Sequence, residues 1–279
     1  MIKIGQYNEL RVERYTDFGA YLTDGEGGEE LLPGRYCDPD SVVGDMLKVF
    51  VYTDSEDRPV ATTEVPFATV GQFAYLQAVA VNKVGAFLDW GLTKNLLVPF
   101  REQKVKMHAG GIYLVYVYLD HATGRVAASA RIERHLGNVY PDYKPGQEVS
   151  ALIIEHTEIG YRVIVDNLHR GMIYDNETYQ NLEVQQTVKA YVKHVREDGK
   201  IDLTMTEPGT ANRVNNLGAE ILRMVNEGGF ELTDKSSPEA IKALLHCSKK
   251  DFKKAVGALY RERKIVITPE GHIKPSDNR

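Results

Sequence analysis

A short glycine-centred segment occurs three times in this chain of 279 residues. The copies read Phe18-Gly19-Ala20-Tyr21-Leu22, Val84-Gly85-Ala86-Phe87-Leu88 and Ile159-Gly160-Tyr161-Arg162-Val163. Side chains alternate between the two faces of an extended strand. If Ala86 and Leu88 enter a core, Phe87 is left on the outer face, between Lys83 and Asp89 in sequence. Three such segments in register indicate three copies of one structural unit.

Each glycine follows a predicted first strand, and the same elements come after it in each copy. First comes a second strand, then a short apolar segment in the place of the third strand, then a fourth strand. A final short strand ends each copy, at 59–63, 126–130 and 201–205. In the last of these, Ile201, Leu203 and Met205 alternate with polar residues, as in a half-buried strand. Five short strands in about 65–75 residues predict an OB-type barrel, although an SH3-like barrel has the same strand alternation.

Two motifs resemble a known RNA-binding family. Phe18-Gly19-Ala20-Tyr21-Leu22 and its counterpart in copy two resemble the second-strand motif of S1 domains. Asp120-x4-Arg125-Val126-x-Ala128-Ser129 resembles the D-x-x-x-x-R-I-x-L-S ending of that family. The resemblance covers three units, predicted at 1–65, 66–138 and 139–207. It implies S1-like barrels that bind single-stranded RNA through aromatic residues around strand two and a basic residue near strand five.

The candidate RNA-binding residues of the barrels follow from this resemblance. They are Phe18, Tyr21 and Arg58 in copy one, Phe87, Lys83 and Arg125 in copy two, and Tyr161 and Lys193 in copy three. Aromatic rings stack on bases, at about 1–3 kcal/mol for each base. Phe18 has the parity of Ala20 and Leu22, so regular alternation buries it unless the chain kinks at Gly19. Tyr21 and Phe87 have an alternative role, packing against a neighbouring domain.

The formal charge differs among the units. The whole chain carries −5, but residues 1–65 carry −8, 66–138 carry +4, 139–207 carry −5 and 208–279 carry +4. The alternative is that these charges are scattered over solvated surfaces. Copy two combines an outward aromatic with a basic balance and is the best candidate for RNA contact, whereas acidic copy one repels phosphate. Copy three is predicted to be a spacer or a protein-facing module.

The last 70 residues have a helical pattern. Leu217, Ile221 and Val225 form one helical stripe. Ser237-Pro238 and Ser248 predict the starts of two further helices. Residues 265–273 predict a two-stranded wing around a Pro-Glu-Gly turn. The fold class is therefore mainly β with a C-terminal α+β unit: three five-stranded barrels followed by a winged-helix domain at 210–279.

The predicted third helix of this domain is basic. Its cations are Lys249, Lys250, Lys253, Lys254 and Arg261. The third helix of such domains is the usual reader of nucleic acid, so these residues are candidate contacts. The alternative is the solvated face of a surface helix.

Three S1-like units followed by a winged helix, at this length, resemble the bacterial conserved virulence factor B family. The resemblance implies an RNA-binding regulatory protein that affects the expression of other genes. The alternative is a protein-interaction scaffold that docks on a transcription, translation or RNA-decay machine.

The sequence predicts no catalytic, cofactor or metal site. Cys37 and Cys247 lie far apart, which argues against a disulfide and favours a reducing cytoplasm, and neither has a partner at metal-binding spacing. No run approaches the roughly 18 consecutive apolar residues of a membrane span. We expect a cytoplasmic, non-enzymatic monomer whose partners are RNA and a protein, with no membrane association.

Overall fold

The computed structural model describes residues 1–175, 177–178, 182–207, 210–228 and 230–276, with the backbone alone for 210–216. The chain divides into two compact units, Met1–Asn138 and Val139–Arg279. The first contains two barrels. The second contains a third barrel and the C-terminal helical domain.

The first barrel is built from five antiparallel-paired strands. They are β1 (Gln6–Thr16), β2 (Gly19–Thr23), β3 (Glu29–Pro33), β4 (Met46–Thr53) and β5 (Pro59–Thr62). The sheet order is β3-β2-β1-β4-β5, and β3 and β5 lie close to each other at its two ends. Side chains that alternate along these strands, such as Leu10, Val12, Leu22 and Leu32, form the core.

The second and third barrels are closed. The second contains β6 (Phe73–Val81), β7 (Gly85–Leu88), β8 (Leu96–Pro99), β9 (Ile112–Asp120) and β10 (Arg125–Ser129). The third contains β11 (Glu148–Thr157), β12 (Gly160–Val165), β13 (His169–Tyr174), β14 (Thr187–Val195) and β15 (Ile201–Thr204). In both, the third strand pairs in parallel with the fifth. This order is that of the OB barrel and excludes the SH3-like alternative.

The recurring glycine is required by a close approach of strand two to strand three. A Cβ on Gly19 would come 2.1 Å from the carbonyl oxygen of Leu32. A Cβ on Gly85 would meet the carbonyl oxygen of Val98 at 2.2 Å, and one on Gly160 would meet that of Ile173 at 2.3 Å. No side chain fits at such distances, so all three copies need glycine there.

Besides the core inside barrel one, a second core is shared by barrels one and two: it joins the interior of barrel two to Phe50, Tyr52 and Val60 of barrel one. Phe50 and Tyr52 of β4 pack edge-on against Trp90, which follows β7, with ring centroids 5.7 and 6.4 Å apart. The Lys94 ammonium of barrel two donates a hydrogen bond to the carbonyl oxygen of Thr53 at 2.9 Å. Burial lowers the pKa of this ammonium. A shared apolar core fixes the two barrels as one body.

The C-terminal domain has the predicted elements. They are α1 (Thr210–Glu227), α2 (Pro238–Leu245), α3 (Lys249–Arg261), β16 (Ile265–Ile267) and β17 (Ile273–Pro275), the last two paired as an antiparallel hairpin. The Ser237 hydroxyl accepts a hydrogen bond from the Ala240 N–H, and that of Ser248 accepts one from the Asp251 N–H. These side chains satisfy otherwise unpaired N–H groups at the helix starts. The predicted fold class is confirmed, while the four domain boundaries stay predictions.

Candidate nucleic-acid interface

The three barrels can be compared at one register on their outer face. In each, a residue of the first strand pairs with one of the second, which pairs with one of the third. We call these three residues the outer row. The rows are Arg14, Tyr21 and Leu31 in copy one, Ala80, Phe87 and Leu97 in copy two, and Glu155, Arg162 and Met172 in copy three.

The outer row of copy two presents an aromatic beside a small neighbour. Ala86 and Leu88 are fully buried, and Phe87 between them is half-buried on the opposite face. Its cross-strand partner Ala80 is exposed and has no side chain beyond Cβ, so it does not cover the ring. The core that barrels one and two share contains Trp90 but does not contain Phe87. That core therefore gives no support to the alternative in which an outward Phe87 packs against barrel one.

The two cations predicted in copy two differ in their contacts. Lys83, at the turn before β7, is exposed and forms no ion pair with any described residue. The Arg125 guanidinium, by contrast, pairs with the Asp57 carboxylate in the hairpin of copy one. Of these two cations, Lys83 is therefore the unpaired one, and Arg125 bridges barrels one and two.

In copy one, a cation covers the aromatic ring of the outer row. The Arg14 guanidinium lies over the Tyr21 ring, 4.1 Å from its centroid, and pairs with Glu29. The Arg58 guanidinium is likewise held, by Asp54 at 2.8 Å and Glu56 at 2.9 Å. Its hydrogen bond to Asp54 raises the pKa of Arg58. Two of the three candidates in this copy are thus already in contact with side chains of their own barrel.

Phe18 is exposed, contrary to what regular alternation predicts. Its side chain is 77% exposed, although the neighbouring Ala20 and Leu22 are fully buried. Gly19 has φ of +140°, a conformation that side-chain-bearing residues rarely adopt, and it breaks the alternation where β2 begins. The kink that the sequence allowed is present, and it turns Phe18 outward. Val84 and Ile159 occupy the same exposed position in the other copies.

The outer row of copy three is an ion pair. Arg162 pairs with Glu155 at 2.6 Å, and Tyr161 stacks on His156 with ring centroids 4.3 Å apart. Lys193 pairs with Glu177 at 2.6 Å, and this hydrogen bond raises the pKa of the Lys193 ammonium. The candidate residues of copy three are therefore engaged within their own barrel.

The first-strand members of the outer rows are not evident from sequence patterns. Each barrel has a register shift in its first strand, between Val12 and Arg14, between Ala78 and Ala80, and between Ile153 and Glu155. A bulge moves the pairing by one residue, so the partner of the strand-two aromatic cannot be counted from the glycine. The signal that the sequence does contain is the length of these first strands, which span 11, 9 and 10 residues.

The cations of α3 lie on the face opposite its core side chains. Phe252, Ala255, Val256 and Leu259 are buried in the domain core. Lys250, Lys253, Lys254 and Arg261 are exposed, and Lys249 is half-buried. Within the described part of the chain, none of the four lysines is in an ion pair, and the Arg261 guanidinium donates to the carbonyl oxygen of Gly257 at 3.2 Å. These lysines are free to meet phosphate.

Metal-ligating clusters and membrane-spanning helices are both absent from the described ranges. No group of three or more histidine, cysteine, aspartate or glutamate side chains there is placed to hold a metal ion. No helix there has the length and apolar character of a membrane span.

Two family models match the chain. The model described as S1 domain matches residues 4–64, and the CvfB-like winged helix domain matches residues 219–273. Among curated proteins, the uncharacterized protein YitL of Bacillus subtilis strain 168 is 28% identical over 274 residues, covering 94% of this chain and 90% of the relative. Conserved virulence factor B of Staphylococcus aureus strain USA300 is 27% identical over 270 residues, covering 90% of each.

A solved structure is also similar. It is a multidomain protein with nucleic acid binding domains from Streptococcus pneumoniae TIGR4. It is 24% identical, with a TM-score of 0.40, and the similarity covers 98% of both chains.

Proposed function

The chain belongs to the conserved virulence factor B family, and from this premise we propose that it is a non-catalytic regulator that binds single-stranded RNA. Its S1 and winged-helix domains are nucleic-acid-binding modules. We propose further that it acts in the cytoplasm, where RNA binding controls the expression of other genes. The first proposed contact is the outer row of copy two.

The observation that carries this proposal is the pairing of Phe87 with Ala80. A base needs an aromatic face that no neighbouring side chain already covers. Tyr21 lies under Arg14, and Arg162 with Glu155 replaces an aromatic altogether. Phe87 has alanine at that position and the unpaired Lys83 a few residues away. Copy two thus offers a stacking surface and a cation together.

The winged helix supplies a second contact in this proposal. Phosphate binding depends on cations that are not already paired, because an existing ion pair must first be broken. Lys250, Lys253 and Lys254 meet that condition. We propose that α3 contributes electrostatic affinity and copy two contributes stacking.

The test is fluorescence anisotropy with a labelled oligouridylate of about 12 nucleotides, within the roughly 4–16 that one OB barrel covers. Phe87→Ala is expected to weaken binding roughly 5- to 150-fold, the equivalent of about 1–3 kcal/mol for one lost stacking contact. Phe87→Leu keeps an apolar side chain and is expected to lose a similar factor, because leucine has no ring. Tyr140→Ala removes an exposed aromatic outside the barrels and serves as the control.

Two results would contradict the proposal. Wild-type affinity in both Phe87 variants would reject the site. The absence of any binding at high micromolar protein in low salt would reject RNA binding itself and favour a protein-interaction scaffold.

A further inference from the structure

The loop between β3 and β4 of copy one, together with Met46 at the start of β4, exposes apolar side chains among carboxylates. Val42 and Val43 are each 60% exposed and Met46 is 62% exposed. Asp38, Asp40 and Asp45 surround them in sequence. We call Val42, Val43 and Met46, with these three aspartates, the docking loop. Adjacent exposed apolar side chains rimmed by polar residues are typical of interaction surfaces.

The docking loop is held in place from both sides. The Tyr15 hydroxyl donates to the carbonyl oxygen of Ser41 at 2.7 Å. The Gly44 N–H donates to the carbonyl oxygen of Val12 at 2.8 Å, and the Val42 N–H donates to the Asp45 carboxylate at 2.9 Å. A loop fixed in this way loses little conformational entropy when a partner binds. The valines therefore face solvent in a fixed arrangement and are not the tip of a loose loop.

The corresponding loops of the other barrels have different side chains. The Gly44 hydrogen bond to β1 is repeated by Gly110 to Ala78 in copy two and by Gln185 to Ile153 in copy three. Aligned on these bonds, Val42 and Val43 correspond to His108 and Ala109, and then to Glu183 and Val184. The fold alone therefore does not require two apolar residues here. We therefore attribute the two exposed valines of copy one to the binding of a partner.

The charge of copy one determines which partner fits. Residues 1–65 carry −8, and none of Asp38, Asp40 and Asp45 is in an ion pair with a described residue. Such a surface repels phosphate and attracts cations. Buried against a partner, its carboxylates need cations opposite them and its valines need apolar side chains.

We propose that the docking loop binds a basic segment of another protein that presents apolar side chains on one face. This proposal is independent of RNA binding at copy two, because it concerns a different barrel and side chains of opposite charge. It gives the chain two partners at once: RNA at copy two and α3, and a protein at copy one.

The test uses a defined peptide probe with leucines on one face and lysines on the other, about four helical turns long. Its binding to the full chain is measured by fluorescence anisotropy, beside a peptide with glutamate in place of every lysine. Binding of the lysine peptide, and none of the glutamate peptide, is the expected result. Val42→Ser with Val43→Ser, and separately Asp38→Asn with Asp40→Asn, are each expected to weaken it at least about tenfold.

Matched controls separate a site from general attraction to an acidic protein. Val105→Ser with Ile112→Ser removes exposed apolar residues of copy two, and Asp142→Asn with Glu158→Gln removes exposed acids near and in copy three. Less than a twofold change is expected in each control. Excess oligouridylate and the Phe87→Ala variant are expected to leave peptide binding unchanged, so the proposed RNA function can fail without this proposal failing.

Several outcomes would overturn the proposal. They are no binding of the lysine peptide, equal losses in the control variants, and displacement of the peptide by RNA. Sedimentation that shows a dimer of the chain, broken by Val42→Ser with Val43→Ser, would assign the loop to a second molecule of this chain and equally reject the proposal.

Discussion

Where β7 of the second barrel carries Phe87 opposite Ala80, β12 of the third barrel carries Arg162 opposite Glu155. Phe87 and Arg162 each lie two residues after the equivalent buried glycine of their barrel. Each also pairs with a first strand that has the equivalent bulge. The barrel therefore fixes where the side chains lie, and the cross-strand partner decides whether they are free. A ring beside alanine is open to a base, whereas a guanidinium beside glutamate is already satisfied.

Copy one lies between these two cases. It has an aromatic at the same register, but Arg14 covers one face of Tyr21 and is itself held by Glu29. A base that stacked on that face would have to displace the guanidinium and break its cation–π contact with the ring. An aromatic in the motif is thus not sufficient evidence of a binding surface.

The largest expected effect comes from breaking the scaffold that the barrels share. Gly85→Ala places a Cβ 2.2 Å from the Val98 carbonyl oxygen, and overpacking of this kind costs about 1–3 kcal/mol. We expect the loss to lie at the upper end of that range, because the clashing atom belongs to the backbone and cannot move aside. Urea unfolding followed by the fluorescence of Trp90, the single tryptophan of the chain, reports on this barrel.

The matched control for this substitution is Gly110→Ala in the same barrel. Gly110 has positive φ, but a Cβ at this position would have no atom within 4 Å, so only backbone strain of about 1 kcal/mol is expected. A loss at Gly85 no larger than at Gly110 would contradict the close approach of β7 to β8.

The next largest effect is expected from the unpaired cations of α3. Lys250→Glu with Lys254→Glu is expected to weaken RNA binding at least about tenfold at low salt. It is also expected to reduce the slope of log affinity against log salt by about 1 to 2, because each phosphate contact contributes about 0.7 for single strands. Anisotropy titrations over a series of salt concentrations measure both quantities.

Paired cations give the comparison for that experiment. Arg58→Gln with Lys193→Gln removes two charges that Asp54, Glu56 and Glu177 already neutralise. The slope is expected to stay unchanged. An equal drop in slope in both double variants would show that ion pairing within the barrels does not decide which cations meet phosphate.

The smallest effect is expected in copy one. Arg14→Ala removes the guanidinium over Tyr21 and its pair with Glu29. We expect only a small loss of unfolding free energy in the first unit, because this cation–π contact is exposed to solvent. RNA affinity is not expected to fall, because the proposed contact is in copy two and Arg14 covers the Tyr21 ring of copy one. A clear drop in affinity would place Arg14 itself in the RNA site.

Much of this architecture can be predicted from the sequence, because its signals are local. The period-two alternation and the serine caps of α2 and α3 act within a few residues. The glycine that begins strand two is found because it recurs in three copies. The exposure of Phe18 was within reach too, since it depends only on what Gly19 permits.

Whether each candidate side chain is free or already paired cannot be predicted from the sequence in the same way. Whether Arg125 is free depends on Asp57 in another barrel, and whether Lys193 is free depends on Glu177 on a distant loop. The bulge in each first strand also shifts the pairing by one residue, which hides Ala80 as the partner of Phe87. These contacts join residues far apart in sequence, and single-sequence patterns carry no record of them.

The most direct measurement exchanges the outer rows of the second and third barrels. One variant carries Ala80→Glu with Phe87→Arg, and the other carries Glu155→Ala with Arg162→Phe. Affinity for the oligouridylate is measured for each, with tryptophan fluorescence as the check that the first unit is folded. We predict that the first exchange weakens binding roughly 5- to 150-fold, and that the second does not weaken it. Unchanged affinity in the first variant, or a loss in the second as large as that in the first, would contradict the proposal that the outer row of the middle barrel binds RNA.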